Sequence, residues 1–311
     1  MDRRVSDIHD RRSPPRVALV GGGFWLGVAE HLFNRADIVV APIADKSRWF
    51  GLSWILSRSF LRAKVIHVVW GGHVIVSIAA RLLGKTLVWH WIGSDVPAFR
   101  RQRGAAGRLR ERLAHRSVTA HLADSPELAD ELEELGIDAQ VCRLLPRSIE
   151  ADVLPLPKTF CVLSYWTDER RTFYGGDVIL ALAAEFDDIE FLIAGAEGHG
   201  APHPSNVTFL GQQATLDDVY AGVSVFLRLP KHDSLSAMVL ESLARGRYVI
   251  YNKAFPHCRQ AGTMSELRSA LQEIRRLDEP NRAGAAYVKE HFSVQREADS
   301  LRRVYDQLPG V

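Results

Sequence analysis

The sequence predicts an α/β protein of two domains, each a parallel sheet joined by crossover helices. Three observations carry this. The chain has 311 residues, more than one hydrophobic core usually organises. Short apolar runs alternate with helix-period segments along its whole length, the pattern of parallel strands and crossovers. A Pro-bearing stretch over 144–157 interrupts that alternation before a second series begins, which puts the boundary at 155/156.

In the first half, strands are expected at 16–20, 38–41, Val65–Val69, Thr86–Trp91 and 119–123. A glycine-rich turn and helix follow the first, and a long aromatic, basic helix the second. Next come a helix ending at Leu83 and, after 119–123, the helix of SPELADELEELG, with Ser125 as N-cap, Pro126 at N1 and Gly136 past the end. The second half reads strand 159–164, helix 176–186, strands 189–194 and 207–210, helix 216–221, strand 223–227, helix 234–244 and strand Tyr248–Tyr251. The expected domains are thus 16–155 and 156–291, with a closing helix over 292–311. Residues 1–15 are charged and end in Pro-Pro, without the apolar core of a signal peptide, and are expected to be a disordered tail.

Composition narrows the class. With 47% hydrophobic and 24% charged residues the chain is neither a coiled coil nor a disordered regulator. Cys142, Cys161 and Cys258 are odd in number and widely spaced, which supports neither a disulfide framework nor a zinc site and fits a cytoplasmic protein. No apolar run reaches the ~20 residues of a spanning helix. Net charge is +2, but residues 1–150 hold 22 Lys and Arg against 16 Asp and Glu, and residues 151–311 hold 17 against 21. The basic half is expected to face an anion.

Two segments carry chemistry. Gly21-Gly22-Gly23 links the first strand to a helix, where backbone N–H groups hold phosphate. It does not match G-x-G-x-x-G and lacks the acidic ribose residue, which disfavours a dinucleotide site. The second segment is RLPKHDSLSAMVLESLARG. Arg228, Lys231, His232 and Asp233 occupy a loop at a strand's carboxyl end, where open α/β sheets bind ligands, and Ser234 can cap the helix that follows. Glu241 lies seven positions on, on the same helix face about 10 Å away, as do Ala237, Met238 and Arg245. An elongated anion along this face meets N–H donors at one end and a carboxylate at the other. A solvent-facing stripe is the competing interpretation.

Asp233 and Glu241, eight apart and followed by Ser-Leu-Ala-Arg-Gly and Tyr-Val-Ile, resemble the E-x7-E motif and the EALA-x-G-x-P-V-I run of retaining GT-B glycosyltransferases, especially glycosyltransferase family 4. VIHVVWGGH, LVWHWIGSDV, HLADSPELADELEELGI, VTFLGQQATLDDVYAGVSVFLRL and VKEHFSVQREADSLRRVYDQL resemble further segments of that family, in order, from Arg16 onward.

The resemblance implies two Rossmann-like domains facing across a cleft, with the C-terminal helix crossing back to the first. It implies metal-independent, cofactor-free transfer of a hexose-type sugar from a nucleotide-diphosphate donor, with retention. Glu241 would accept from the donor ribose and Asp233 from sugar hydroxyls. Ser234, Leu235 and Ser236 would present N–H groups to sugar and diphosphate, with Lys231 and His232 beside them, Gly22 and Gly23 as further donor contacts, and the turn at Gly211 along the nucleobase. Asp233, His73, His90 and Asp95 would be the catalytic candidates.

The sequence departs from the family at three places. Ser234-Leu235-Ser236 replaces Gly-Phe-Gly. Ile92 stands where the family has His, leaving His90 two residues earlier. Tyr174 stands where the family has Lys, so Arg170, Arg171 or Lys231 must supply the phosphate cations. A nucleotide-sugar epimerase and a degenerate, membrane- or partner-binding protein of the same fold are the alternatives.

Two basic stretches bear on the acceptor. Residues 46–64 carry five cations, no acid and four aromatic residues, and 100–116 carries seven arginines against Glu111. They point to a lipid-linked or anionic acceptor at the inner membrane surface, with peripheral membrane contact. Nucleic acid is disfavoured, because 100–116 has no interleaved aromatic residues for base stacking.

Overall fold

The computed structural model describes residues 17–44, 57–70, 74–101, 104–199 and 202–309. The expected tail over 1–15, most of the basic segment over 46–64, and His73 lie outside the described residues.

The chain divides into two compact units, one running to Leu144 and including Gln295 onward, the other Leu145–Val294. In the first, strands β1 (Val17–Gly21), β2 (Val40–Ala44), β3 (Val65–Val69), β4 (Thr86–Trp91), β5 (Ala120–Ala123) and β6 (Ala139–Val141) form one sheet. Its order is β2-β1-β3-β4-β5-β6 and every pairing is parallel. β1 and β3 are buried at every residue, as uninterrupted apolar runs in a parallel sheet must be.

Helices α1 (Gly23–Arg35), α2 (Arg58–Arg62), α3 (Val74–Leu82), α4 (Asp95–Arg101), α5 (Gly104–Ser117) and α6 (Pro126–Glu133) cover it. Ser125 caps α6 by accepting from the Leu128 N–H at 3.2 Å. On one sheet face, Ile66, Val68, Trp89 and Trp91 pack with Phe60, Val76, Ala80 and Leu113. Both buried indoles find acceptors, Trp89 at Ser77 Oγ (3.2 Å) and Trp91 at His121 Nδ1 (3.1 Å).

The second sheet contains β7 (Cys161–Tyr165), β8 (Glu190–Ala194), β9 (Val207–Gly211), β10 (Val225–Arg228), β11 (Tyr248–Tyr251) and β12 (Arg259–Gln260), ordered β12-β11-β10-β7-β8-β9 and again parallel. Read from β9 this is the doubly wound 3-2-1-4-5-6 order, whose direction reverses between β7 and β10. The helices are α7 (Gly176–Glu185), α8 (Asp217–Gly222), α9 (Ala237–Ala244), α10 (Met264–Ile274) and α11 (Arg282–His291). α10 begins on a capping box in which Thr263 and Glu266 satisfy each other's backbone N–H.

Residues 145–155, expected to close the first domain, belong to the second unit. Glu241 and Arg245 hold Ser148 there, and Arg247, a fully buried side chain, donates to the carbonyls of Val223 (2.9 Å), Pro155 (2.8 Å) and Leu154. Burial pulls its pKa down to about 10, so it stays charged at neutral pH.

The closing helix α12 (Val294–Asp306) packs in the first unit. Its Tyr305 hydroxyl lies 2.9 Å from His67 Nδ1, His67 Nε2 lies 3.3 Å from His90 Nδ1, and His90 Nε2 lies 2.8 Å from the Cys142 carbonyl. A carbonyl only accepts, so His90 donates from Nε2, His67 donates to His90, and Tyr305 donates to His67. Phe33 of α1 meets His67 and Tyr305 edge-on at 5.0 and 5.3 Å. Burial holds both histidines neutral, His90 down to about 4, and likewise His121.

Asp124, buried at the end of β5, accepts the Leu144 N–H at 2.6 Å through Oδ1, and Oδ2 has no partner among the described residues. Burial pushes its carboxyl up to about 8, and the Leu144 hydrogen bond offsets only part of this.

These groups give the first unit a stability maximum. The unfolded chain binds more histidine protons between pH 4 and 6.5, so stability rises there. Folded Asp124 keeps a proton that the unfolded chain loses, so stability falls from 6.5 to 8, by about 1.4 kcal/mol per pH unit. Urea denaturation from pH 5 to 8 should show this maximum near 6.5, and Asp124→Asn should flatten its alkaline side. An unchanged alkaline side in the variant contradicts this assignment.

Candidate functional site

The strand-order reversal of the second sheet falls between β7 and β10, and the carboxyl ends at such a reversal are where doubly wound sheets bind ligands. The β7 loop holds Arg170, Arg171 and Tyr174, and the β10 loop holds Lys231, His232 and Asp233. The Lys231 N–H donates to the Phe173 carbonyl at 2.8 Å and ties the two loops together.

Arg228, the last residue of β10, grips Asp233 in a fork: Nε to Oδ2 at 2.9 Å and Nη2 to Oδ1 at 3.2 Å. The Tyr251 hydroxyl donates to Oδ2 at 3.0 Å, and the Lys253 ammonium donates to the Asp233 carbonyl. The guanidinium lies 4.8 Å from the centre of the Tyr174 ring. Burial works against its charge, and Asp233 more than offsets this, so its pKa is raised. Arg171 is paired with Asp177 at 2.7 Å, and Arg170 lies 4.2 Å above the Phe173 ring and 5.1 Å from that of Tyr174. Lys231 is exposed; His232, Ser234 and Leu235 are half-buried.

α9 starts at Ala237 with Ser236, rather than Ser234, in the cap position, and the Ser236 side chain makes no cap hydrogen bond. The N–H groups of the first turn point where an anion gains most.

Glu241 is buried rather than part of a solvent stripe. Its Oε2 accepts from the Tyr220 hydroxyl at 2.9 Å and Oε1 from the Ser148 hydroxyl. Arg245 stands 4.8 Å from the Tyr220 ring centre, donates to the Ser148 carbonyl (2.8 Å), and pairs with Asp217. Burial, then the Glu241 charge, push the Tyr220 phenol well up and keep it a donor. Ser148, Tyr220 and Asp217 escaped sequence reasoning, because the first two reach Glu241 across 93 and 21 positions and Asp217 reaches Arg245 across 28.

Gly211, ending β9 at φ 64°, exchanges backbone hydrogen bonds with Gly195 (2.8 Å) and Ala196 (3.0 Å). Asp168 accepts from the N–H groups of Glu197 and Gly198 at 3.1 and 3.3 Å, fixing the neighbouring turn.

The first unit places its candidates differently. Gly22 is the extended N-cap of α1 and Gly23 its first residue, without a side-chain cap. His90 is the buried middle of the Tyr305 relay and offers no nitrogen to a ligand. Asp95, the other catalytic candidate of this unit, opens α4. It is buried, and its carboxylate turns back to accept from Ile92 N–H (3.2 Å) and Gly93 N–H (3.0 Å), closing the turn into α4. Both are consumed by local polar satisfaction. Among the described residues no group of His, Cys, Asp and Glu has the geometry to hold a metal ion.

No protein-family model matches the chain, and no curated protein matches it in sequence. Solved structures do. HepE of Anabaena in complex with UDP-glucose is similar over 94% of this chain and 100% of its own, at TM-score 0.72 and 12% identity. Sucrose-phosphate synthase of Thermosynechococcus elongatus is similar over 94% and 99%, at 0.69 and 13%. The pneumococcal O-GlcNAc transferase GtfA, in complex with UDP and GlcNAc, is similar over 78% and 56%, at 0.56 and 13%. The fold is therefore GT-B, built from two Rossmann-like domains. The particular fold is that of HepE and sucrose-phosphate synthase, over nearly their full lengths.

Glu241→Ala should leave the buried Tyr220 hydroxyl without its acceptor and cost about 1–3 kcal/mol. Tyr220→Phe added to it should cost much less than in the native background. Additive losses in a denaturation cycle contradict the coupling.

Proposed function

We propose that this protein is a retaining glycosyltransferase that moves a hexose-type sugar from a nucleoside diphosphate to an acceptor without a metal ion. The observation that carries the reading is the set of polar groups gathered at the carboxyl ends of β7 and β10 in the second domain. A cation and the N-terminus of α9 lie at a doubly wound sheet's switch point, and one turn into the same helix a buried carboxylate is held by two hydroxyls. The fold is shared with HepE, which binds UDP-glucose, and with GtfA, which binds UDP and GlcNAc.

Mechanistically, Glu241 accepts from the donor ribose. Its other contacts to Tyr220 and Ser148 fix its rotamer, so the acceptor geometry is set before ligand arrives. Asp233 retains a lone pair on Oδ1 for a sugar hydroxyl. The N–H groups opening α9 face the diphosphate as charge builds on it in an oxocarbenium-like transition state. Donors fixed in place spend no reorganisation energy at that moment.

The acceptor we propose is lipid-linked or anionic, met at an anionic bilayer. Ile75, Ile78 and Leu82 are exposed along one side of α3, while Val76 and Ala80 face the core. Arg81 donates to the Arg116 carbonyl (3.2 Å) and Ser117 Oγ (3.3 Å), which brings the arginines of α5 alongside. Lys85 donates to the Leu61 carbonyl (2.9 Å) and brings up α2, with exposed Leu61, Arg58 and Arg62. An apolar band rimmed by cations fits an anionic membrane interface. In the second unit the exposed large apolar residues among those described are Val178 and Leu277. No helix among the described residues is long and apolar enough to cross a membrane.

Two measurements test this. One of UDP, GDP, ADP or dTDP should raise the melting temperature, since a ligand at 100 times its Kd adds about 2.7 kcal/mol, and Glu241→Ala should abolish the shift. No response to any of the four, or a full response in the variant, contradicts the donor site. A sugar product formed without acceptor would instead identify an epimerase. In flotation assays, vesicles containing phosphatidylglycerol should carry the protein, neutral vesicles should not, and Ile78→Asp/Leu82→Asp should release it. Equal binding to neutral vesicles, or an unaffected variant, overturns the membrane face.

A further inference from the structure

We infer that Arg228 is the cation that receives the donor diphosphate, in place of the lysine that the family resemblance expects at Tyr174. This rests on the transferase reading above.

Arg228 stands at the switch point, on the β10 side of the β7/β10 pair. Its side chain is only 9% exposed, so its direction is set by its partners. Asp233 binds Nε and Nη2 at 2.9 and 3.2 Å, and the Tyr174 ring lies 4.8 Å from its centre. The Nη1 edge has no acceptor among the described residues. A guanidinium held on two of its nitrogens and one face, with its third nitrogen unclaimed, is a preorganised donor for a phosphoryl oxygen.

The other cations lack this two-nitrogen anchor to a carboxylate of the β10 loop. Arg171 pairs with Asp177 through Nη2, Arg170 rests only on the Phe173 and Tyr174 rings, and the Lys253 ammonium donates to the Asp233 carbonyl. Lys231 is anchored by its backbone, but its side chain is exposed. The exchange also fits sterically. Tyr174 brings no charge of its own and offers its ring to Arg228, so the positive charge moves from one loop to the neighbouring strand end. Asp233 thereby gains a second task, as the positioning residue for the guanidinium.

The test is isothermal titration calorimetry with whichever of UDP, GDP, ADP or dTDP binds the native protein most tightly, and with the matching nucleoside. Arg228→Gln should weaken the diphosphate about 10- to 100-fold, the worth of one charge-assisted hydrogen bond, and leave nucleoside affinity within about twofold. Tyr174→Lys added to that variant should recover much of the loss. If melting shows that Arg228→Gln is unfolded, Arg228→Lys keeps a cation against Asp233 and should still weaken the diphosphate selectively. Equal losses for diphosphate and nucleoside, or an unchanged diphosphate affinity in a folded variant, overturn the assignment of Arg228 alone. Failure of the native protein to bind any of the four overturns the transferase reading, and this inference with it.

Discussion

Parallel sheets covered on both faces leave one place for chemistry, and most of this molecule's polar organisation follows from that constraint. With helices on each side, side chains along the strands are committed to the core. The carboxyl ends are where the backbone turns outward and the next helix presents unpaired N–H groups. In the second domain the strand order reverses between β7 and β10, and the connections leaving these two strands meet there. Arg228, Asp233, Tyr174 and the start of α9 gather at that place because each belongs to one of the two connections.

The two domains satisfy their buried polar groups with different chemistry. The first uses neutral imidazoles, each giving one proton and accepting one, to join Tyr305 of the closing helix to the Cys142 carbonyl. The second uses guanidinium groups. Arg247 gathers carbonyls from β10's approach and from residues 154–155, and Arg245 and Arg228 each hold a carboxylate. A neutral relay is sensitive to acid, whereas arginine stays charged throughout the accessible range. The first domain is accordingly the pH-sensitive one, through His67, His90, His121 and Asp124.

Much of the fold was legible because parallel strands announce themselves as apolar runs. Val65–Val69, Thr86–Trp91 and Tyr248–Tyr251 are observed as expected. The short edge strands β6 and β12 carry too little apolar sequence to register, and α4 and α11 were also missed. α10 had a readable signal in Thr263-Met264-Ser265-Glu266, a capping box. The site was legible as a segment but not as a network. Spacing put Glu241 on one helix face with Arg245, but whether that face meets solvent or the residues at 145–150 depends on chain 93 positions away. His90 and Asp95 misled for a related reason. Both are polar residues near a strand's carboxyl end, and sequence does not reveal that a carbonyl and two backbone N–H groups already claim them.

Two adjacent glycines explain why the Tyr174 loop comes close enough to matter. Gly175 has φ 73°, and a Cβ there would sit 2.7 Å from Leu229 Cβ and 2.8 Å from its carbonyl oxygen. At Gly176 a Cβ would meet Arg171 Cγ at 2.7 Å and the Trp166 ring at 3.2 Å. Only glycine lets the loop turn left-handed against the exit of β10 and then enter α7 directly. That approach lays the Tyr174 ring beside the Arg228 guanidinium and sets the Phe173 carbonyl within 2.8 Å of the Lys231 N–H. A side chain at Gly175 would lift the loop off β10 and remove the aromatic support of Arg228, while Asp233 still held it from the other side. The direction of the free guanidinium edge is therefore fixed jointly, by an ion pair within the β10 loop and by backbone contact between the two loops.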